Sequence, residues 1–475
     1  MSSAVLRMLL FTRFTLVFLL LPVLCAMGFG QASDGTLAAA TVQSSSQIMT
    51  SRPPVDGQRV VNLSPSSVVL DAASGKVVGG TSFANFNPSA SSQNEKDNSP
   101  ANANGIILRP DRSTIDRLDT IATFDGAFVA QAGPDTDGDF RFTMAGNNPR
   151  IGGTTVFPGL ILEVSWQLLK ADGSVFTNVH FGPFEQRFLK SPNFVPLDYR
   201  SGKSIEYEDA VHRAQFFSIM KQDWHSLVIP QVVDRITIQV PFFVNVQLSN
   251  GSVVQARSYF TGTAADGSTF VLMLEPLFNF FFDNAEVNEI NLGDFKTSAM
   301  NMSLFPNTFL FQLNALDPNR PGDCCVLGFH TYFANFDGVF PQHRYISQYA
   351  SWISPGLFGA GFEDVTALSH ELAESFGNPF LSNRTPNWQF PREPAKAAVC
   401  QNNLEEGDPI EVLPDATTTI AVVQGAFRFL YHPQNIPLLQ WFEMGQSSSA
   451  IDGAFSFPDV RVLPHSARPC PNGVG

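Results

Sequence analysis

Basic charge is scarce in this chain of 475 residues: 29 Lys and Arg stand against 43 Asp and Glu, for a formal net charge of −14. Phosphate backbones and anionic lipid surfaces are held by clustered cations, so this balance argues against nucleic acids and acidic membranes as partners. Charge of either sign is thin, at 15% of residues. Beyond about Phe29 no run approaches the roughly 20 apolar residues that a spanning helix needs. No GxSxG elbow, P-loop or dinucleotide fingerprint occurs in a strand–helix setting, which leaves serine-hydrolase and nucleotide chemistry unsupported. Internal repeats are absent. Cysteine is sparse, at 5 residues, and none has the paired CxxC spacing of a structural zinc site. Tyr and Trp are few beside 44 Phe, a balance that favours β-rich cores over disorder.

What is present begins with an export signature. Arg7 and Arg13 supply a positive start, the run from Phe14 to about Phe29 is apolar, and Gly30-Gln31-Ala32 puts small residues where a signal peptidase reads. Residues 1–32 therefore read as a cleavable signal peptide, with the mature chain starting near Ser33. Arg13 within the apolar stretch counts against an uncleaved anchor, and Leu24 before Cys25 counts against a lipid-modified one. The expected location is secreted, extracellular or periplasmic, and the mature chain is not an integral membrane protein. Cys25 leaves with the signal. Cys324, Cys325, Cys400 and Cys470 remain, an even number that suggests two disulfides in an oxidising compartment. Links from the adjacent pair to Cys400 and Cys470 are preferred over a vicinal bridge, with free buried thiols as the alternative.

Residues 33–104 are rich in Ser, Ala, Asn and Gly and read as a low-complexity linker, with one early strand at Ser67–Asp71. From Gly105 onward, short apolar runs are punctuated by Gly, Pro, Asn and Asp. Strands are expected at Leu160–Leu169, Arg235–Val246, Thr269–Leu274, Thr308–Leu313 and Cys325–Phe333. Tyr207, Ala210, Val211, Ala214 and Phe217 recur at the spacing of an amphipathic helix. The fold class is thus α+β (mixed α/β), one strand-rich domain over 105–475 with a sub-boundary near 262.

The chemistry concentrates in Asp364 to Pro379. Asp364 suits an N-cap, Gly377 a left-handed C′ position, and Pro379 stops the helix. Val365, Leu368, Leu372 and Phe376 form an apolar stripe. Inside lies His370-Glu371-Leu372-Ala373-Glu374, an HExxE pattern. Residues four apart share a helix face, so His370 and Glu374 can reach one metal ion. Glu371, about 100° round the helix, sits beside the water on that ion as a general base. This is the geometry of the HExxH zinc hydrolases with the second histidine replaced by glutamate. A third ligand is expected from Glu405-Glu406-Gly407-Asp408, where Gly407 permits a tight turn. Glu405, Glu406 and Asp408 all stand as candidates. Of the other histidines, His330 reads as a hydrogen-bonded core residue, His225 as structural and His343 as exposed. His180, His212, His432 and His465 have no convergent partners in the sequence.

The HELAE helix, the following Asn378-Pro379, Trp388 and the Glu-x-Gly-Asp segment beside Cys400 together resemble secreted zincin-like proteins. The similarity is to bacterial relatives of the plant EXORDIUM/phosphate-induced family. Cys324-Cys325-Val326-Leu327-Gly328-Phe329-His330 is similar to that family's Cys-Gly-aromatic-His element. The resemblance implies a zincin-like domain and matches Glu405 and Asp408 to its Glu-x-Gly-Asp positions. The expected function is a secreted metal-dependent hydrolase, peptidase-like, with His370, Glu374 and Glu405 or Asp408 on the metal. Zinc is the expected ion, with manganese or iron as alternatives. The alternative function is a catalytically inactive binding or cell-surface interaction protein on the same scaffold. Its partner would be a peptide, a protein or a surface ligand.

Overall fold

A computed structural model describes residues 40–42, 59–61, 63, 69–76, 78, 106–115, 121–131, 139–198, 204–335, 343–359, 361–390, 400–411, 413–424, 427–444, 456–459 and 462–463. The expected signal peptide lies outside the described residues. The elements that position the site are, in chain order, β1 (Ala40–Val42), β2 (Arg59–Val61), β3 (Thr154–Leu169), β4 (Val175–Val179) and α1 (Tyr207–Gln215). They continue with β5 (His225–Val240), α2 (Glu275–Leu292), β6 (Met300–Pro306), β7 (Gly328–Asn335), β8 (His343–Trp352), α3 (Thr366–Gly377) and α4 (Asp408–Glu411).

An eight-stranded mixed sheet organises the chain, in the order β1-β7-β8-β6-β3-β5-β2 with β4 also beside β3. β8, β6, β3, β5 and β2 run parallel to one another in that order, as do β1 and β7, whereas β7 is antiparallel to β8 and β4 antiparallel to β3. Strands covered on both faces need apolar residues at odd and even positions alike, which is why Leu160-Ile161-Leu162 reads as an unbroken run. Leu162, Val164, Trp166 and Leu168 face one core with Phe278, Phe281 and Phe282 of α2. Phe157 and Ile161 face the other with Leu368, Leu372 and Phe376 of α3. The sheet is therefore the middle layer between α2 and α3, a mixed α/β, strand-rich arrangement.

Thr269–Leu274 and Thr308–Leu313 are strands with the expected bounds. Arg235–Val246 is split: β5 ends at Val240 and a new strand, Phe243–Gln247, pairs elsewhere with Val253–Arg257. Cys325–Phe333 is also split, into Pro321–Val326 and β7. Three strands fall inside the expected linker. β1 and β2 extend the two edges of the main sheet, and Val69–Asp71 pairs with Asn245–Gln247. Position 262 falls in a hairpin, Tyr259–Thr263 against Thr269–Leu274.

The expected disulfide pattern is corrected as well. Cys324 and Cys325 bond to each other, their Cα atoms 3.1 Å apart, so the pair closes on itself and reaches neither Cys400 nor Cys470. The Cys400 side chain and all of Cys470 lie outside the described residues. No helix among the described residues is long and apolar enough to cross a membrane.

α2 buries two acids, Glu286 and Glu289. The Glu286 carboxyl oxygens lie 2.5 Å from the Ser303 and Ser347 hydroxyls. Burial, partly offset by the two serines, pushes its pKa up to about 8 from an ordinary 4.5. A neutral carboxyl in the folded state and an ionised one in the unfolded chain mean that stability is full below 4.5 and is lost as pH rises towards 8. Glu286→Gln keeps the shape and removes the proton. Thermal denaturation at pH 5 and pH 8 should show a smaller loss of Tm in the variant than in the native chain; an equal loss would refute this assignment. The difference is a few kcal/mol, because a tenfold change in proton affinity corresponds to about 1.4 kcal/mol.

Candidate metal centre

α3 is buried along its whole length. Val365, Leu368, Leu372 and Phe376 enter the core as expected, and Phe376 meets Phe157 edge to face at 5.3 Å. Burying these four contributes roughly 6–12 kcal/mol. The same helix buries His370, Glu371 and Glu374, exposed by 8%, 4% and 3%. A buried carboxylate without a partner costs several kcal/mol. The polar face therefore needs compensating charge to coexist with the stripe.

That face meets two other elements. β7, next to β8 in the sheet, carries His330 with its Nδ1 3.1 Å from Glu374 Oε2. The hairpin of Arg384–Gln389 and Cys400–Asn403 leads into Glu405-Glu406-Gly407-Asp408. It is fixed by Trp388 Nε1, which donates to the Asn403 carbonyl at 3.1 Å, and by Leu404 N, which donates to the Asn383 carbonyl at 3.0 Å. Asn383 in turn donates to the last carbonyl of α3, Gly377 O, at 2.6 Å.

The expected site residues divide as follows. His370 Nε2 lies 3.0 Å from Glu374 Oε1 and 3.5 Å from Asp408 Oδ1. Glu405 comes to 3.7 Å from His330 Nδ1, and Glu371 to 3.9 Å from the same atom. Glu406 turns away, accepting from Gln215 Nε2 of α1 at 2.5 Å. Two donor sets result, His370–Glu374–Asp408 and His330–Glu371–Glu374, in each of which the donor atoms lie within 4.8 Å of one another. Both sets are buried, and such groups can hold a metal ion.

His330 is the hydrogen-bonded core histidine expected, and its partner is Glu374, which also places it in a second group of candidate metal donors. One residue escaped the sequence reading. Gln434 orients the His370 ring: its Oε1 lies 3.1 Å from His370 Nδ1, while its Nε2 donates to the Gly407 carbonyl at 2.6 Å. That arrangement directs the Nδ1 proton to Gln434 and points Nε2 at Glu374 and Asp408. An outer partner that fixes the ring in this way is the usual companion of a metal-ligating histidine.

Local expectations for the helix ends and the glycines are corrected too. Asp364 is not the N-cap; it has a φ of 49°, and its carboxylate accepts from the backbone N of Val365 and of His432. His432 Nδ1 lies 2.8 Å from Asp364 and 3.3 Å from Glu363, so it has partners after all, in a third set of metal-binding donor types. Gly377 ends the helix without a left-handed φ, and a side chain there would run into the Glu406 carboxylate. Gly407 is likewise not in the left-handed region; a Cβ would stand 2.5 Å from the His370 ring. Glycine is needed there for close approach. Its N–H donates to Glu374 Oε1 at 3.0 Å. His225 is structural as read, 2.7 Å from Asp209. His212 is buried among Phe124, Phe216, Trp224 and Phe376, and burial depresses its pKa to about 3.

Electrostatically the cluster is arranged around one anion. Burial opposes charge on Glu374, but the adjacent His370 and His330 hold its carboxyl well below the usual range. Burial likewise opposes charge on His370 and His330, and the facing carboxylates raise both above the usual imidazole range. Burial pushes the Glu371, Glu405 and Asp408 carboxyls up. Glu406 is raised by burial and then by Glu208 and Glu374.

No family model, no curated protein and no solved structure matches this chain.

Gly407→Ala tests how tightly the cluster is packed. The added methyl must displace the His370 ring, and overpacking of this kind costs about 1–3 kcal/mol. Thermal denaturation should show a lower Tm than the native chain. An unchanged Tm would mean that the loop yields freely.

Proposed function

We propose that this protein is an exported, metal-dependent hydrolase of zincin type acting on a peptide or protein. The observation that carries the reading is the convergence of His370 Nε2, Glu374 and Asp408 within 4.8 Å, with the HExxE glutamate Glu371 on the same buried helix. His370, Glu374 and Asp408 are the ligands; zinc is the favoured ion for one nitrogen and two carboxylate oxygens, with manganese or iron next. A divalent ion bound there would acidify a water and polarise a substrate carbonyl. Gln434 holds the His370 ring with its Nε2 lone pair towards the ion. Glu371, whose carboxyl is raised by burial, takes the proton from the attacking water and passes it to the leaving amine. The resemblance of the helix and the Glu-x-Gly-Asp segment to secreted zincin-like proteins supports the same reading.

A second reading is favoured by the closure of the cluster: His370 is 8% exposed, Glu405 7% and the remaining donors less. A centre so enclosed suits a structural ion in a secreted binding or cell-surface protein that performs no catalysis.

Elemental analysis of the purified protein tests the metal, and turnover of a mixed peptide substrate separates the two readings. The hydrolase reading expects a stoichiometric divalent ion that His370→Ala removes. Glu371→Gln should abolish hydrolysis, a loss of at least about 100-fold for a general base. No ion in the native chain sinks both readings. An ion with no hydrolysis leaves the second.

A further inference from the structure

We infer that the centre is built for two metal ions, with the Glu374 carboxylate as the bridge between them. The inference rests on reading the cluster as a metal site and deepens it from one ion to a pair.

The first ground is the orientation of Glu374. Its Oε1 lies 3.0 Å from His370 Nε2 and its Oε2 lies 3.1 Å from His330 Nδ1. One carboxylate thus offers a separate oxygen to each of two imidazoles from different elements, α3 and β7. The second ground is the grouping of the donors. His370–Glu374–Asp408 and His330–Glu371–Glu374 share only Glu374, and each contains one imidazole. An ion centred in the first set leaves His330, Glu371 and Glu405 without a cation. Glu405 Oε2 stands on the His330 side, 3.7 Å from its Nδ1. The third ground is an unpartnered ligand atom. Glu371 is 4% exposed, and its Oε2, the oxygen nearest His330 Nδ1, is buried and accepts no hydrogen bond. A carboxylate oxygen held in this way loses its hydration and gains nothing from the protein in return.

Charge leads to the same number. Glu371, Glu374, Glu405 and Asp408 bring four carboxyl groups and two imidazoles into one enclosed volume. Two divalent cations would balance these four groups once all are ligated and ionised, whereas one would balance only two. Carboxylate-bridged pairs have ions roughly 3.5–4 Å apart, a spacing suited to the two oxygens of one carboxylate. Each ion receives one nitrogen and otherwise carboxylate oxygens, a set that fits Mn(II), Fe(II) or Zn(II) better than a thiophilic ion. Assigning Glu371 to the second ion also changes its role, from a free base to a ligand.

The test uses the full chain, stripped of metal with a chelator and titrated with Mn(II) alone. Bound manganese is measured by equilibrium dialysis and the ions are observed by electron paramagnetic resonance. The expected result is saturation at two ions per chain, with the six-line spectrum of isolated Mn(II) replaced by that of an exchange-coupled pair. Saturation at one ion with a six-line spectrum would overturn the pair while leaving a mononuclear centre standing. No binding would remove the metal reading itself. Two uncoupled ions would also overturn the bridge and direct attention to Glu363–Asp364–His432. His330→Asn should reduce binding to one uncoupled ion, and Glu363→Gln should leave two coupled ions. Because the native chain alone decides between one ion, two ions and none, a variant that fails to fold does not blunt the test.

Discussion

Glu374 stands between two imidazoles in a volume that water hardly reaches, and the surrounding architecture follows from keeping it there. His370 comes from its own helix one turn earlier, but His330 must be delivered by β7 and the neighbouring carboxylates by the segment that follows the 384–403 hairpin. The backbone N–H of Gly407 donates to the same carboxylate, tying that segment to the helix. Three segments distant in sequence therefore close on one side chain. Loss of any one would leave the others as unpaired buried charge, which is the more expensive condition.

The sheet supplies the rigidity that this convergence needs. β8 separates β7 from the parallel strands, so the strand bearing His330 is positioned by pairing on β8 and by α3 lying across both. Phe376 and its neighbours bring the helix down onto β3 and β8. The other face of the sheet is filled by α2, whose phenylalanines pack against Trp166, Phe305 and Tyr349. The candidate donor groups sit on the α3 face, and aromatic side chains fill the cores on both faces of the sheet.

Much of this was legible because it is local. Thr269–Leu274, Thr308–Leu313, the α1 helix and the HExxE helix each announce themselves by period and punctuation within a dozen residues or so. The pairing of His370 with Glu374 followed from helix geometry, and the nearby acidic turn was legible as a donor segment without showing which of Glu405, Glu406 and Asp408 faces His370. What stayed hidden was set by tertiary partners. Asp364 looks like a cap until His432, 68 residues on, claims its carboxylate. Gln434 has no local signature at all, since its role exists only where it touches the His370 ring. His330 sits within a strand, and nothing in its sequence neighbours says which face turns towards α3. The short strands at 40–42 and 59–61 carry too few residues to pattern, and they are strands because longer strands accept them; the one at 69–71 was expected, three residues of it within Ser67–Asp71.

The bond between Cys324 and Cys325 has a consequence for how the chain resists unfolding. A cross-link restrains the unfolded ensemble through the size of the loop it closes, and a link between neighbours, at a separation of 1, closes almost none. It therefore takes little freedom from the unfolded chain. Its effect is confined to the shape of one strand, Pro321–Val326, just before β7 turns His330 inward. In this region oxidation does the work of a stiff local joint and not of a clamp between distant parts.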